Sequence, residues 1–264
     1  MHRLGSVSAV ALSFAACVGT TGGQLVTFSA AAAGPADADP TQTFQFTTDR
    51  GWHVALSRAV LHIGALYLDQ SMPVSGSQGT NCILPGTYVA QVTAGREVDL
   101  LSPTPQLFPV EGQGTTIPPA LVGQVWLTGV DVNSAADTTP ILLVAGTADD
   151  GNGRAFPFAG TVTIGSNRRA PGTQGAGASA ICKQRIVSIP TDVSVRSTGG
   201  LLLRVDPRAL FTNVDFSQLG QLANATYAFS DEPNSPDYTQ PSRNLFLNLE
   251  SAGALYTFSW SESL

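Results

Sequence analysis

Glycine and proline punctuate this chain so densely that long helices have no room. The 264 residues include 27 Gly and 17 Pro, and beyond residue 16 no run longer than a dozen residues lacks both. Within a helix Gly costs about 1 kcal/mol and Pro about 3 kcal/mol relative to Ala. Strands need only about five or six residues and tolerate such spacing. The expectation is an all-β fold: a single antiparallel β-sandwich of about ten strands, with long loops and at most short helical turns.

The segment TFQFTTDRGWHVAL (43–56) carries the strongest local pattern. A three-residue loop at Asp49-Arg50-Gly51, with Gly51 left-handed, places Thr48 opposite Trp52, Phe46 opposite Val54 and Phe44 opposite Leu56. The large apolar residues then share one face, while Gln45, Thr47, His53 and Ala55 share the other. After Ser57 the parity changes, because Ala59, Leu61, Ile63, Ala65 and Tyr67 continue the apolar face on odd numbers. A one-residue bulge or a sheet crossing near Ser57-Arg58 accounts for the switch. Leu66 and Leu68 add apolar residues to the opposite face, so that strand is expected to be buried on both sides.

Further strands are expected at Thr87–Val92, Gln124–Val132, Ile141–Thr147, Arg154–Ile164, Arg185–Val195, Leu201–Val205 and Thr226–Phe229. TADDGNGRAF (147–156) reads as a hairpin turn, and Arg208–Leu219 as one or two short helical turns. NLFLNLESAGALYTFSW (244–260) reads as a second hairpin, with Phe246 opposite Phe258 around a Ser251-Ala252-Gly253 loop.

Charge narrows the function classes. Charged residues make up 12% of the chain, the formal net charge is −6, and Lys183 is its one lysine. With no basic run or stripe, nucleic-acid binding is not expected.

The first residues resemble an export signal. His2 and Arg3 precede an uncharged, small and apolar run to Ala16, too short to cross about 30 Å of hydrocarbon. Phe14-Ala15-Ala16-Cys17 resembles the lipobox of bacterial lipoproteins, against the plainer alternative of an ordinary signal cut nearby. The resemblance implies that residues 1–16 are removed, that Cys17 is acylated, and that residues 17–23 tether a domain spanning 24–264. The implied location is the outer membrane, lipid-anchored, facing the periplasm or the cell surface. Several acyl chains at about 0.8 kcal/mol per buried methylene make such an anchor stable. Setting Cys17 aside leaves Cys82 and Cys182, which should pair in an oxidising compartment. A loop of roughly 100 residues corresponds to at most about 4.7 kcal/mol in the chain-entropy account.

Candidate chemistry is sparse. Beyond the signal the histidines are His53 and His62, which could share a side of the strand. With Met72 or Asp69 they make a copper or zinc reading; otherwise one is an exposed strand residue and the other half-buried. Asx-rich loops at Asp131, Asn133 and Asp137, at Asp149-Asp150-Gly151-Asn152, and from Asp231 to Asp237 suit calcium, but such residues also make turns unaided. GTQGAGAS (172–179) lacks a Gly-Lys-Ser/Thr ending and reads as a loop. No G-x-S-x-G elbow is present, and no catalytic residue is proposed. Trp52 and Trp260 fall on Phe- and Leu-rich faces and read as core, while Trp126 could belong to either an aromatic platform or the core.

The opening unit, LVTFSAAAAG, an acidic loop, a hairpin with Gly51-Trp52 and then RAVLHIGALYL, loosely resembles the methanobactin-associated copper-binding proteins over roughly residues 24–70. That resemblance implies a metal-uptake accessory, but no cysteine-rich segment or ligand set carries over. The expected function is a non-catalytic envelope binding module with an outer-membrane or envelope protein partner. The alternatives are copper or zinc binding through His53 and His62, and an enzyme lacking any familiar motif.

Overall fold

The computed structural model describes residues 23–71, 87–127, 138–163, 185–222, 225–232 and 235–264. These residues form two sheets around one apolar core, and the fold is all-β.

The second hairpin strand organises both sheets. β2 (Phe44–Thr47) pairs antiparallel with β3 (His53–Ile63) in the expected register, Phe44 with Leu56, Phe46 with Val54 and Thr47 with His53. Gly51 takes φ +82°, where a side chain would be strained. The N–H of Thr48 donates to the Trp52 carbonyl at 2.9 Å and closes the loop. β10 (Pro140–Asp149) covers β3 along its length, but its pairing steps from Arg58 to Leu56 and leaves Ser57 out. This is the bulge that the parity change required. Val54 and Leu56 are buried before it, Ala59, Leu61 and Ile63 after it.

β6 (Arg96–Asp99) pairs with the far half of β3. β11 (Ala155–Thr163) pairs with β10 across the Asp149–Arg154 turn, β15 (Tyr227–Phe229) lies parallel to β11, and β14 (Gly220–Gln221) completes this seven-stranded sheet.

The larger sheet has nine strands. Along its path run β12 (Arg185–Val193), β9 (Ala120–Trp126), β4 (Ala65–Asp69), β5 (Tyr88–Val92), β8 (Gly112–Thr115), β1 (Leu25–Ala33), β13 (Gly200–Val205) and β16 (Tyr256–Ser261). β7 (Gln106–Leu107) also pairs with β1. The two end strands, β12 and β16, approach each other, so the sheet curls nearly shut. Phe258 of β16 reaches Gly123 of β9, where a Cβ would lie 2.3 Å from its ring. A glycine is required there.

Three features depart from the sequence reading. β1 and β13 run parallel, as do β11 and β15, within an otherwise antiparallel architecture. β9 begins at Ala120, earlier than expected. Gln240–Leu249 is an α-helix, α1, not the first arm of a terminal hairpin. Its buried residues, Pro241, Ser242, Leu245 and Leu249, recur with helical spacing, and Pro241 sits in the first turn, where its missing N–H costs nothing. Leu247, which strand alternation would have put beside Leu245 and Leu249, is 54% exposed. The pairing edge of β16 is taken by β13, with Phe258 opposite Leu203. The expected short turns do form, as 3-10 helices at Pro207–Phe211 and Phe216–Gln218, with Asp206 and Asp215 as N-caps.

The core between the sheets is aromatic at this end. Phe216 is fully buried and packs against Trp52 (5.4 Å between centroids), Phe158 (5.1 Å) and Phe211 (5.8 Å). Trp52 is thus a core residue, as its strand parity implies. Phe216→Ala is expected to cost about 3–5 kcal/mol of unfolding free energy by urea titration. A loss below about 1 kcal/mol would mean that the aromatic cluster does not hold the 3-10 segment onto the sheets.

Candidate functional site

Cys17, Cys82 and Cys182 lie outside the described residues, as do Met72, Asp131, Asn133, Asp137 and the 172–179 loop. Both histidines are described, and the bulge does place them on the same outer face of β3. His53 is exposed beside Thr47, whose Oγ1 lies 3.1 Å from His53 Nδ1. The row continues to Asp149 of β10, whose Oδ1 accepts from the N–H of Gly151. These residues line an open groove of about 350 Å³ with Gln45 and Thr147.

His62 is largely buried. Its Nε2 is 3.5 Å from Glu97 Oε2 without hydrogen-bond geometry. Burial pushes its pKa down, with Glu97 opposing and Arg58 reinforcing. Nine residues of extended strand separate the two imidazoles by roughly 25–30 Å. One ion cannot bind both. Among the described residues no cluster of three His, Cys, Asp or Glu side chains is placed to hold a metal.

The described oxygen-rich loops are occupied with their own backbone. Asp150 Oδ1 accepts from the N–H groups of Asn152 (2.8 Å) and Arg154 (3.2 Å). Asp231 Oδ2 accepts from the N–H and hydroxyl of Thr163. These carboxylates make turns and tie strands together.

A different cluster stands out on the non-core face of the large sheet, at the ends of β4, β5, β9 and β12. The expected odd-numbered apolar face does not continue past Gly64: Leu66 and Leu68 of β4 point into the core, so Tyr67 and Asp69 point away from it. Alternation does the same for Gln124 and Trp126 on β9. Register sets Asp69 opposite Tyr88 of β5, and Trp126 opposite Arg185 of β12. Asp69 and Gln124 are fully buried. Gln124 Nε2 donates to Asp69 Oδ2 at 2.7 Å, and Trp126 Nε1 donates to Gln124 Oε1 at 3.4 Å. Tyr67 packs between Trp126 (4.7 Å) and Tyr88 (5.6 Å).

Two polar atoms in this cluster have no partner, Asp69 Oδ1 and the Tyr88 hydroxyl. Burial pushes the Asp69 carboxyl up to about 6, against the opposing bond from Gln124. The Tyr88 phenol is pushed up by burial and then by the negative charge of Asp69, while Arg185 opposes. A buried acceptor without a donor costs about 1–3 kcal/mol, and more when charged. Buried polar groups in folded proteins are nearly always satisfied. The arrangement leaves one buried carboxylate oxygen without a donor, on the same face of the sheet as Tyr67 and opposite Tyr88.

Sequence reasoning named Asp69 only as a companion to His62, and left Trp126 undecided. Gln124, Tyr88 and Arg185 were missed. The available signal was the acid closing the apolar strand ALYLD, on the same parity as Tyr67.

No protein-family model matches the chain, and no curated protein does. Among solved structures, MbnP from Methylosinus trichosporium aligns over 90% of this chain and 98% of that one, at 12% identity and a TM-score of 0.32. A likeness that loose carries neither topology nor ligands across.

Asp69 also makes a stability prediction. Its folded pKa, about 6, exceeds the ordinary 3.8. Between those values the folded chain keeps a proton that the unfolded chain has released, so this group's contribution falls as pH rises from about 4 to 6. Two units correspond to roughly 3 kcal/mol. Asp69→Asn keeps an acceptor for Gln124 and should flatten that slope, leaving the variant about 2–3 kcal/mol more stable than wild type at pH 7 by urea titration. An unchanged slope would show that the acid is solvated or already paired.

Proposed function

We propose that the protein is a non-catalytic, lipid-anchored bacterial envelope lipoprotein, tethered through Cys17 to the outer membrane, that binds an organic cation at Asp69. The carrying observation is the fully buried carboxylate with one oxygen held by Gln124 and the other unpartnered, in an aromatic patch in which Tyr67 packs between Tyr88 and Trp126. Aromatic faces attract weakly hydrated cations through their quadrupole, and the free carboxylate oxygen supplies the counter-charge. A divalent metal prefers several anionic or nitrogen ligands at once, whereas this cluster presents a single carboxylate. Tyr67 and Tyr88 are partly exposed and form the edge of the cluster nearest solvent.

The competing metal-accessory reading, copper or zinc held jointly by His53 and His62, conflicts with their separation along β3. An enzymatic reading would start from Thr47, His53 and Asp149. There the hydroxyl and the imidazole are both exposed to water, and Asp149 already serves the turn at Gly151.

Choline is a suitable probe. Isothermal titration at pH 7.5 should show saturable binding, about tenfold weaker at pH 5, where only about a tenth of an acid of pKa 6 is ionised. Asp69→Asn should abolish binding and Tyr67→Ala should weaken it. Equal heats for wild type and Asp69→Asn, or affinity that rises with acidification, would overturn the proposal.

A further inference from the structure

The chain enters the fold beside an exposed apolar pair. Leu25, at the start of β1, is 58% exposed, and Ile117, just after β8, is 57% exposed. Leu25 pairs in register with Thr115. Two further hydrogen bonds clamp the same point: the N–H of Thr116 donates to the Gln24 carbonyl, and the N–H of Gln24 donates to Thr116 Oγ1, both at 3.1 Å. A Cβ on Gly23 would lie 2.5 Å from the Ile117 nitrogen, so the incoming chain runs directly past that residue.

The surroundings carry no charge along the chain. Residues 18–36 contain no Asp, Glu, Lys or Arg, and neither do residues 112–130. In a chain of net charge −6 this is an unusual place to leave both apolar and uncharged. Leu121 is also 52% exposed, but it sits by Asp192 at the end of β12 and is not part of the pair.

From these observations we infer that Leu25 and Ile117 seat the sheet's end on the surface of a zwitterionic lipid bilayer. The inference rests on the proposed anchor at Cys17. Six residue steps from Cys17 to Gly23 span at most about 21 Å, so an acylated Cys17 keeps this end of the sheet close to the headgroups. Two aliphatic side chains entering the interface add apolar burial to the anchor. With no charged residue in the two segments that carry the pair, the contact is insensitive to salt and needs no anionic lipid.

The seat also sets the direction of the Asp69 cluster. Ala90 pairs with Gly114, which places the start of β5, with Tyr88, at the same sheet end as Thr115 and Leu25. Asp69 stands opposite Tyr88. The cation site is therefore presented from the membrane side.

The test uses the Cys17→Ser chain, so that no acyl chain contributes, with vesicles of phosphatidylcholine and phosphatidylethanolamine. Co-sedimentation should show partitioning that falls at least about tenfold in Leu25→Asp/Ile117→Asp and persists in high salt. Choline binding and thermal unfolding of the double variant should match those of its parent, which separates loss of the seat from loss of the cation site or of the fold. Labelled fatty-acid incorporation into the wild type tests the anchor separately. Equal partitioning of parent and double variant overturns the inference. So does a parent that sediments as a dimer in solution and becomes monomeric in the double variant, because the pair would then bind a second copy.

Discussion

The extra residue at Ser57 is the constraint on which the rest of the structure depends. A strand presents alternate residues to opposite faces, and a one-residue slip exchanges them. β3 is an eleven-residue strand that pairs with β2, β6 and β10. Without the bulge, either Val54 and Leu56 or Ala59, Leu61 and Ile63 would face water. With it, all five enter one core. The strand then passes through Gly64 into β4, and there the parity changes a second time, from odd core residues in the far half of β3 to even ones in β4. That second change sends Leu66 and Leu68 inward and leaves Tyr67 and Asp69 on the other face. The candidate site thus depends on both breaks in alternation, the bulge at Ser57 and the switch at Gly64.

What was legible in the sequence was local. The β2–β3 register followed from a glycine-containing loop and an alternation that agree with each other, and the bulge from a change of parity. The short helical turns expected within Arg208–Leu219 form as 3-10 helices at Pro207–Phe211 and Phe216–Gln218. What was not legible was which strand meets which across long separations. Nothing in SAAAAG announces that β1 will lie parallel to Gly200–Val205. The terminal helix was misread because the Ser251-Ala252-Gly253 loop sets Phe246 and Phe258 in hairpin register, while Leu245 and Leu249, four apart, form the buried face of a helix. The competition for the edge of β16 decided between these patterns, and β13 won it.

The same division holds for the site. His53 and His62 drew attention by residue type, and the strand sets them at opposite ends of one face. Asp69, Gln124, Tyr88 and Arg185 come from four strands, and their meeting depends on the pairings β4–β9, β4–β5 and β9–β12. No spacing in one segment could reveal it. A buried carboxylate is costly unless matched, and here one oxygen is matched and the other is not. The cost is concentrated at the sheet end where β1 begins and where Leu25 and Ile117 are exposed. The exposed apolar pair and the acid thus fall on one end of one sheet, while the oxygen-rich loops that were described close turns of their own.

The central claim is that Asp69 is a desolvated acid awaiting a positively charged donor. The most direct measurement is the titration of its side-chain carboxyl by carbon-13 NMR, with and without choline. The account predicts a midpoint near 6 in the free protein, moving down as the cation stabilises the carboxylate. A midpoint at or below the ordinary value near 3.8, unmoved by choline, would contradict it.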